Sequence, residues 1–449
     1  MKTGEESSEK NDKGDHVSLN IGRLAANVRK DLEKLGPNPL WEECCIYKVP
    51  KRLRVLNDKA YTPQVVSIGP FHRDKKELQE MEEHKRMYLQ DFLKWSNARL
   101  EDFIELIGDR EATLRNCYAE TLEDIISEEF VKMILVDAAF VIMVILKPSF
   151  IAFRGRNDRI FSCRWKIREV RIDLCLLENQ LPFFILQDML KLSKIFTPYK
   201  ESILIMLVHE FLRGVWGSWA TEDYVEIRSS SEIEHFVGFL RIYQQPTRPH
   251  RPKIPKRLTT STAKMLHQAG VKFQSRSDQK LLHIEFNKEF LKIPQFRISD
   301  DTEILLRNLQ AFEQCHCGDS YVGNYIHMMD LLVDSPEDVE ILVRYGIIEN
   351  FLSNNEAVST LFYNLSRENI FSSDNFYFSD VLEDLNNYYG RDWPRWKANL
   401  RQNYFQNPWS IFSVIAAAFL LLLVKISTFK MMPHVKRLCN EVVNILLDS

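Results

Sequence analysis

Three carboxylates sit where a charge is costly to bury. Asp137 interrupts KMILVDAAFVIMVIL (132–146), and Asp173 and Glu178 interrupt DLCLLENQLPFFIL (173–186), two segments that are otherwise apolar. An ionised carboxylate taken out of water needs a cation or several hydrogen-bond donors. Two arrangements meet that need. If the carboxylates approach one another, their pKa values separate and an acid and a base result, as in carboxylate-based catalysis. Otherwise they accept hydrogen bonds from backbone groups, or from Arg168 and Arg171, and hold structure. The residue types favour the second arrangement.

Two other clusters carry metal-ligating types. Cys315-His316-Cys317, with His327 farther along, offers thiolate and imidazole, but adjacent side chains at a helix end diverge and a structural zinc site needs about four ligands. Glu82-Glu83-His84 lacks the second histidine of a zinc protease motif and reads as a solvated helix face. No metal and no cofactor is expected. The chain contains no GxxxxGK[ST], GxGxxG or GxSxG, and its 15 glycines leave little to build phosphate cradles. Lys and Arg total 59 against 62 for Asp and Glu, so no electrostatic drive toward nucleic acid exists. The 8 cysteines lack a dense framework spacing and predict free thiols in a reducing compartment.

These candidates need elements to position them, and the pattern is mainly helical. Ile21, Leu24, Val28 and Leu32 recur at helical spacing after a charged tail over 1–18, and Met81, Tyr88, Leu89, Phe92 and Leu93 mark another amphipathic helix starting near Leu78. The apolar run 132–146 predicts a buried helix. Residues 173–190 predict a second one, kinked or restarted at Pro182. CCIYKV (44–49) suggests a short strand, Gly69-Pro70 a turn, and HIEF (283–286) with FLKIPQFRI (290–298) a β-hairpin. Asp300 with Glu303, Ser335 with Pro336 and Asp338, and Ser353 with Glu356 have the form of helix caps, and Gly346 that of a helix stop. The fold class is therefore mainly α (α+β), a large helical body with a small hairpin. Its divisions fall at 19–243, a Pro-rich basic linker over 244–262, and 263–408.

WSIFSVIAAAFLLLLVKISTF (409–429) is the one stretch whose solvent could be lipid. As a helix it spans roughly 31 Å, about the thickness of a bilayer's hydrocarbon. Its lipid-facing residues are Trp409, Ile411, Phe412, Val414 and Ile415, then Phe419, Leu420, Leu421, Leu422, Leu423 and Val424; Lys425 must snorkel or mark a buried core helix instead. Before it, Tyr388, Tyr389, Trp393, Trp396, Tyr404 and Phe405 interleave with Arg395, Lys397 and Arg401, the form of an interfacial belt. The opening residues have no apolar signal core, which predicts a single-pass anchor inserted last, a cytosolic body and, as the leading location, the plasma membrane. In 430–449, Val435, Leu438, Val442, Ile445 and Leu446 form one apolar helical face. One sequon, Asn364-Leu365-Ser366, reads as an ordinary helix surface.

IYKVPKRLR (46–54), YTPQVVSIGPFH (61–72), MEEHKRMYL (81–89), ILVDAAF (134–140), DLCLLENQLPFFIL (173–186) and TEILLRNLQAFEQCH (302–316) resemble the plant family called domain of unknown function 247, also uncharacterised protein family 0481. The tail PRWKANLRQNYFQNPWSIFSVIAA (394–417) is similar as well. The resemblance implies a land-plant protein with one C-terminal membrane segment and no established catalytic residues. Some grass members of that family are linked to self-incompatibility, which implies a recognition role. Relatives commonly carry Gly-Cys after ILVD and an acid four positions on, where this chain has Ala138-Ala139 and Met143. The expectation is a membrane-anchored, non-enzymatic interaction protein with a lipid bilayer and an unidentified protein as partners. The alternatives are an enzyme of unrecognised type using the buried carboxylates, or a soluble scaffold with a buried C-terminal helix.

Overall fold

The computed structural model of the protein describes residues 20–34, 43–155, 158–198, 200–216, 233–246, 254, 256–276 and 280–390, and of the C-terminal apolar stretch residues 412, 416–417 and 419–425. The expected tail 1–18, residues 247–253 and 255 of the linker 244–262, most of the segment 409–429 and the amphipathic stretch 430–449 lie outside the described residues. Among the described residues no helix is long and apolar enough to cross a membrane.

The chain divides into two units, 1–44 and 45–449. In the first, α1 (Ile21–Lys34) carries Ile21, Leu24, Val28 and Leu32, each about half exposed or more.

The second unit opens with Ile46 bridged to Tyr118 in parallel, which replaces the expected strand over 44–49 by a single bridge. Then come α2 (Lys51–Arg54), α3 (Glu80–Trp95), α4 (Leu100–Asp109), α5 (Glu111–Asn116) and α6 (Ser127–Ser149). Every residue from Ile134 to Lys147 is buried, so α6 is apolar all round and serves as the axis of this part of the body. It packs against α3 and α4 and, later in the chain, against α8 (Phe183–Ser193) and α9 (Glu201–Trp216). α3 turns Met81, Tyr88 and Phe92 inward, the face its apolar spacing predicts.

A helix does restart at Pro182, but the expected helix over 173–181 before it is a different object. One helix, α7 (Arg164–Asp173), ends at Asp173, residues 174–182 run as buried non-helical chain, and α8 begins after Pro182. The interruption has a local cause. Gln180 Nε2 donates to the carbonyls of Leu174 (2.8 Å) and Leu176 (2.7 Å), and Asn179 Nδ2 donates to that of Asp173 (2.9 Å), so side-chain amides take the acceptors a continuing helix would use.

α10 (Phe236–Gln244) and α11 (Ala263–Gln268) lead to the strands. The hairpin forms between β2 (Glu285–Asn287) and β3 (Phe290–Pro294), with Lys288 in the left-handed region at φ 59°. Its sheet gains a partner that alternation did not reveal, β1 (Lys272–Arg276), parallel to β3. FLKIPQFRI is not one strand. It breaks after Pro294, and β4 (Phe296–Ile298) pairs in parallel with the distant β5 (Ile348–Asn350), because a proline lacks the N–H that would continue the ladder.

Four helices complete the body: α12 (Asp300–His316), α13 (Tyr321–Leu332), α14 (Pro336–Arg344) and α15 (Asn355–Ser366), followed by α16 (Ser379–Tyr389). Ser335 caps α14 in a reciprocal pair with Asp338, and Gly346 stops the chain at φ +69°. The other two caps move by one residue: Ser299, paired with Thr302, caps α12, and Asn354 caps α15 by accepting from Ala357 N–H at 2.8 Å. α12 contacts α7, α10 and α13, and one continuous apolar core runs from Val49 to Tyr388. Tyr388 belongs to that core, with its ring against Phe286 and its hydroxyl donating to Gly270 O, and Tyr389 packs beside it. Neither is part of an interfacial belt; the remaining belt residues lie outside the described set.

Candidate functional site

The loop YTPQVVSIGPFH is buried from Val65 to Pro70 yet belongs to no sheet, so its backbone polar groups need partners from elsewhere. The three carboxylates and their neighbours supply them. Asp173 Oδ1 accepts from Gln64 N–H (2.9 Å), and Oδ2 accepts from Val65 (2.7 Å) and Val66 (2.9 Å). Asn179 accepts from Ile68 N–H at 2.7 Å and donates to Val66 O at 3.0 Å. Asp137 Oδ2 accepts from Gly69 N–H at 2.8 Å. Its other oxygen binds Lys85 Nζ at 2.5 Å, and Lys85 also donates to Ser67 O (2.9 Å) and contacts Glu82 (2.5 Å).

Glu178 closes the other end. It accepts from Val49 N–H at 2.6 Å, pairs with Arg54 at 2.6 Å, and has His72 Nε2 at 3.1 Å. Tyr118 donates its hydroxyl to Gln180 O at 3.1 Å, and Gly69 is pressed against both groups.

Electrostatics follow from these partners. Burial pushes the Asp173 carboxyl up to about 7, and the three backbone donors that pull it down offset this only in part. Burial also raises Asp137 against the pull of Lys85. For Lys85, burial acts downward but Asp137 and Glu82 outweigh it, so its ammonium is held above the usual range. Burial acts upward on Glu178, and His72 and Arg54 overcome it, leaving a firmly ionised carboxylate.

So the predicted residues converge on one loop without forming an acid pair, since each has its own donors. Arg168 and Arg171 are not those donors. Arg168 pairs with Asp301 at 2.6 Å, and the Arg171 guanidinium lies over the Phe211 ring. The working partners that the sequence reading passed over are Lys85, Arg54, Asn179, Gln180, His72 and Tyr118. Lys85 had a signal: it shares the helical face of Met81, Tyr88 and Phe92, where a lysine demands a buried anion.

A second polar cluster surrounds the end of α12. His316 stacks on Phe312 with ring centroids 5.1 Å apart, and its Nδ1 lies 3.1 Å from Tyr47 Oη and its Nε2 3.5 Å from Glu234. His327 instead faces Leu258 O and packs on Phe371 and Phe376. Burial raises the Cys317 thiol to about 12, which suits packing rather than ligation. Among the described residues no group of His, Cys, Asp and Glu is placed to hold a metal ion. Nearby, Glu234, Gly238, Arg241, Ile242, Gln245 and Phe312 line a cleft of about 360 Å³. Beneath it the buried Glu313 accepts from Val322 and Gly323 N–H at the start of α13 and from Arg241 Nε at 3.2 Å, and burial pushes its carboxyl up to about 7. Glu82 and His84 stay on the face of α3, His84 bonding Glu80 O.

A mainly helical body in which buried carboxylates clamp an internal loop is the class this geometry defines. The chain belongs to the family described as plant protein of unknown function, DUF247, whose profile matches residues 46–423. A UPF0481 protein of Arabidopsis thaliana is 30% identical over 418 residues, covering 86% of each chain. A putative UPF0481 protein of the same plant is 24% identical over 506 residues, covering 91% of this chain and 94% of its own. No solved structure matches the chain.

Proposed function

We propose that this plant protein is a membrane-tethered, non-enzymatic interaction component, held by the segment 409–429 with its body on the cytosolic side, at the plasma membrane, and presenting a surface to a protein partner. One observation carries the tether. Residues 419–425 are helical, and Phe419, Leu420, Leu421, Leu422, Leu423 and Val424 are each roughly half exposed or more, at 63, 61, 71, 58, 48 and 57%. Six successive residues pass more than once around a helix of about 3.6 residues per turn, so this apolar surface faces outward on every side. Water is a poor solvent for such a surface and a bilayer a good one. The alternative of a helix buried in the body does not fit that exposure. Among the described residues no two cysteines are joined in a disulfide, which suits a reducing compartment.

The non-enzymatic part rests on the carboxylates. Asp137, Asp173 and Glu178 are engaged with backbone, Lys85 and Arg54, which removes the motive for assigning them a reaction. Extraction with alkaline carbonate tests the tether. Full-length protein should stay with membranes while a version ending at Asn407 is released, and equal release of the two would overturn the proposal.

A further inference from the structure

Three helices end at one place on the second unit. α3 stops at Trp95, α6 at Ser149 and α8 at Ser193, with Asn97 N–H donating to Ser193 O at 2.9 Å across the junction. Aromatic and aliphatic side chains collect there. Trp95 meets Phe153 edge-on at 4.9 Å, Phe153 meets Phe150 at 5.7 Å, and Phe150 meets Phe196 at 5.6 Å. They are not sealed. Trp95 is 42% exposed, Phe150 37% and the adjoining Ile151 78%.

Cations frame this cluster. Lys94, Lys191, Lys194 and Arg154 are all exposed, in the last turns of the helices or just beyond them. The nearby carboxylates Asp91 and Asp158 are occupied by the buried Lys147, at 3.0 and 2.8 Å. Lysines also offset the negative helix ends. What remains is an apolar, aromatic surface with a positive rim, the combination that matches the headgroup level of an anionic bilayer, where rings enter the boundary and lysines meet lipid phosphate.

We infer that Trp95, Phe150, Ile151 and Phe196, with Lys94, Lys191 and Lys194, form a second membrane contact that docks the body on an anionic lipid surface. It deepens the tethering proposal, because a tether raises the local concentration of that surface, but its chemistry stands without it.

Hydrogen exchange on the full-length chain tests it, with vesicles of phosphatidylcholine alone or with one part in about three of phosphatidylserine, a composition chosen to give a strongly negative surface. Flotation of the same samples reports the tether. Exchange over 147–155 and 191–198 should slow at least roughly fivefold on phosphatidylserine vesicles, the factor one lysine's attraction to anionic lipid corresponds to. A Phe150→Ser, Ile151→Ser, Lys194→Glu variant should float equally well and lose the protection. Protein that floats with unchanged exchange on phosphatidylserine would sink the docking surface and leave the tether standing. Protection on phosphatidylserine vesicles in a protein that fails to float with phosphatidylcholine vesicles would do the reverse. Equal protection on both vesicles, or protection without vesicles that grows with protein concentration, would overturn the lipid assignment, the latter in favour of a second copy of the chain.

Discussion

Replacing Gly69 by alanine probes the loop clamp at its tightest point. The backbone there has φ +72°, a region where a side chain costs about 1–2 kcal/mol. A methyl group would also lie 2.8 Å from Gln180 O and 3.0 Å from Tyr118 Oη, closer than carbon and oxygen ordinarily approach. Gln180 O is backbone, and its residue is tied through its own amide to Leu174 and Leu176, so the loop must yield instead. Movement of the loop stretches the 2.8 Å bond from Gly69 N–H to Asp137, a buried carboxylate whose lost donor costs about 1–3 kcal/mol. Together these place Gly69→Ala about 2–5 kcal/mol below the parent. Gly108, in α4, is the control. A Cβ there meets nothing within 4 Å, and alanine in a helix gains up to about 1 kcal/mol over glycine. Urea midpoints of the two full-length variants, read by far-ultraviolet circular dichroism with unchanged slopes, give the comparison. If Gly69→Ala loses less than about 1 kcal/mol, or no more than Gly108→Ala, the clamp reasoning is refuted.

Other perturbations follow from the same contacts. Lys85→Met leaves Asp137 buried with Gly69 N–H as its donor, and should cost about 3–5 kcal/mol, recovered in part by adding Asp137→Asn; a double variant no better than the single would contradict the pairing. Asn179→Ala strips partners from Ile68 N–H and from the carbonyls of Val66 and Asp173, so a melting shift corresponding to about 3 kcal/mol or more is expected. Asp173 gives a pH signature. Its folded pKa of about 7 lies above the 3.8 of an ordinary aspartate, so its stabilising contribution is full below that lower value and is lost as pH rises through about 7. Between pH 5 and 8 the parent should therefore lose about 2–3 kcal/mol that Asp173→Asn does not lose, and parallel pH profiles of the two would refute the assignment.

Periodicity carried the helices well because their apolar faces are long and regular, as in α3 and α6. It failed where side chains compete with backbone. The segment DLCLLENQLP has helical spacing of leucines, yet Asn179 and Gln180 bond the carbonyls that a helix would need, and spacing alone does not register that competition. β1 was hidden for another reason. Of its five residues only Phe273 is buried, so KFQSR has no alternation to detect, and its pairing with β3 is a long-range event. The carboxylates stood out as buried anions because an apolar context around an acid is visible in sequence. Their true partners were not, since Arg54 and Lys85 lie far away along the chain and only the fold brings them close.

Five of the seven words that tie this chain to its family meet in one place, and that constrains where its function can reside. IYKVPKRLR supplies Val49 and Arg54, YTPQVVSIGPFH the loop itself, MEEHKRMYL Lys85, ILVDAAF Asp137, and DLCLLENQLPFFIL Asp173, Glu178, Asn179 and Gln180. All of these contribute bonds to a buried assembly whose donors and acceptors face one another rather than a ligand. A change in any of them acts first on the fold, because an unpartnered buried polar group costs more than the bond it lost. On the proposed interaction role, partner choice is then expected on residues the clamp does not use. The surface where α3, α6 and α8 end meets that condition: Ile151 and Lys194 are exposed and take no part in the clamp. Substitutions at these two positions should leave the urea midpoint within about 0.5 kcal/mol of the parent while altering membrane docking, whereas clamp substitutions should shift both together. Separation of those two effects would locate recognition on the surface, and a clamp variant that folds normally yet loses docking would move it inward.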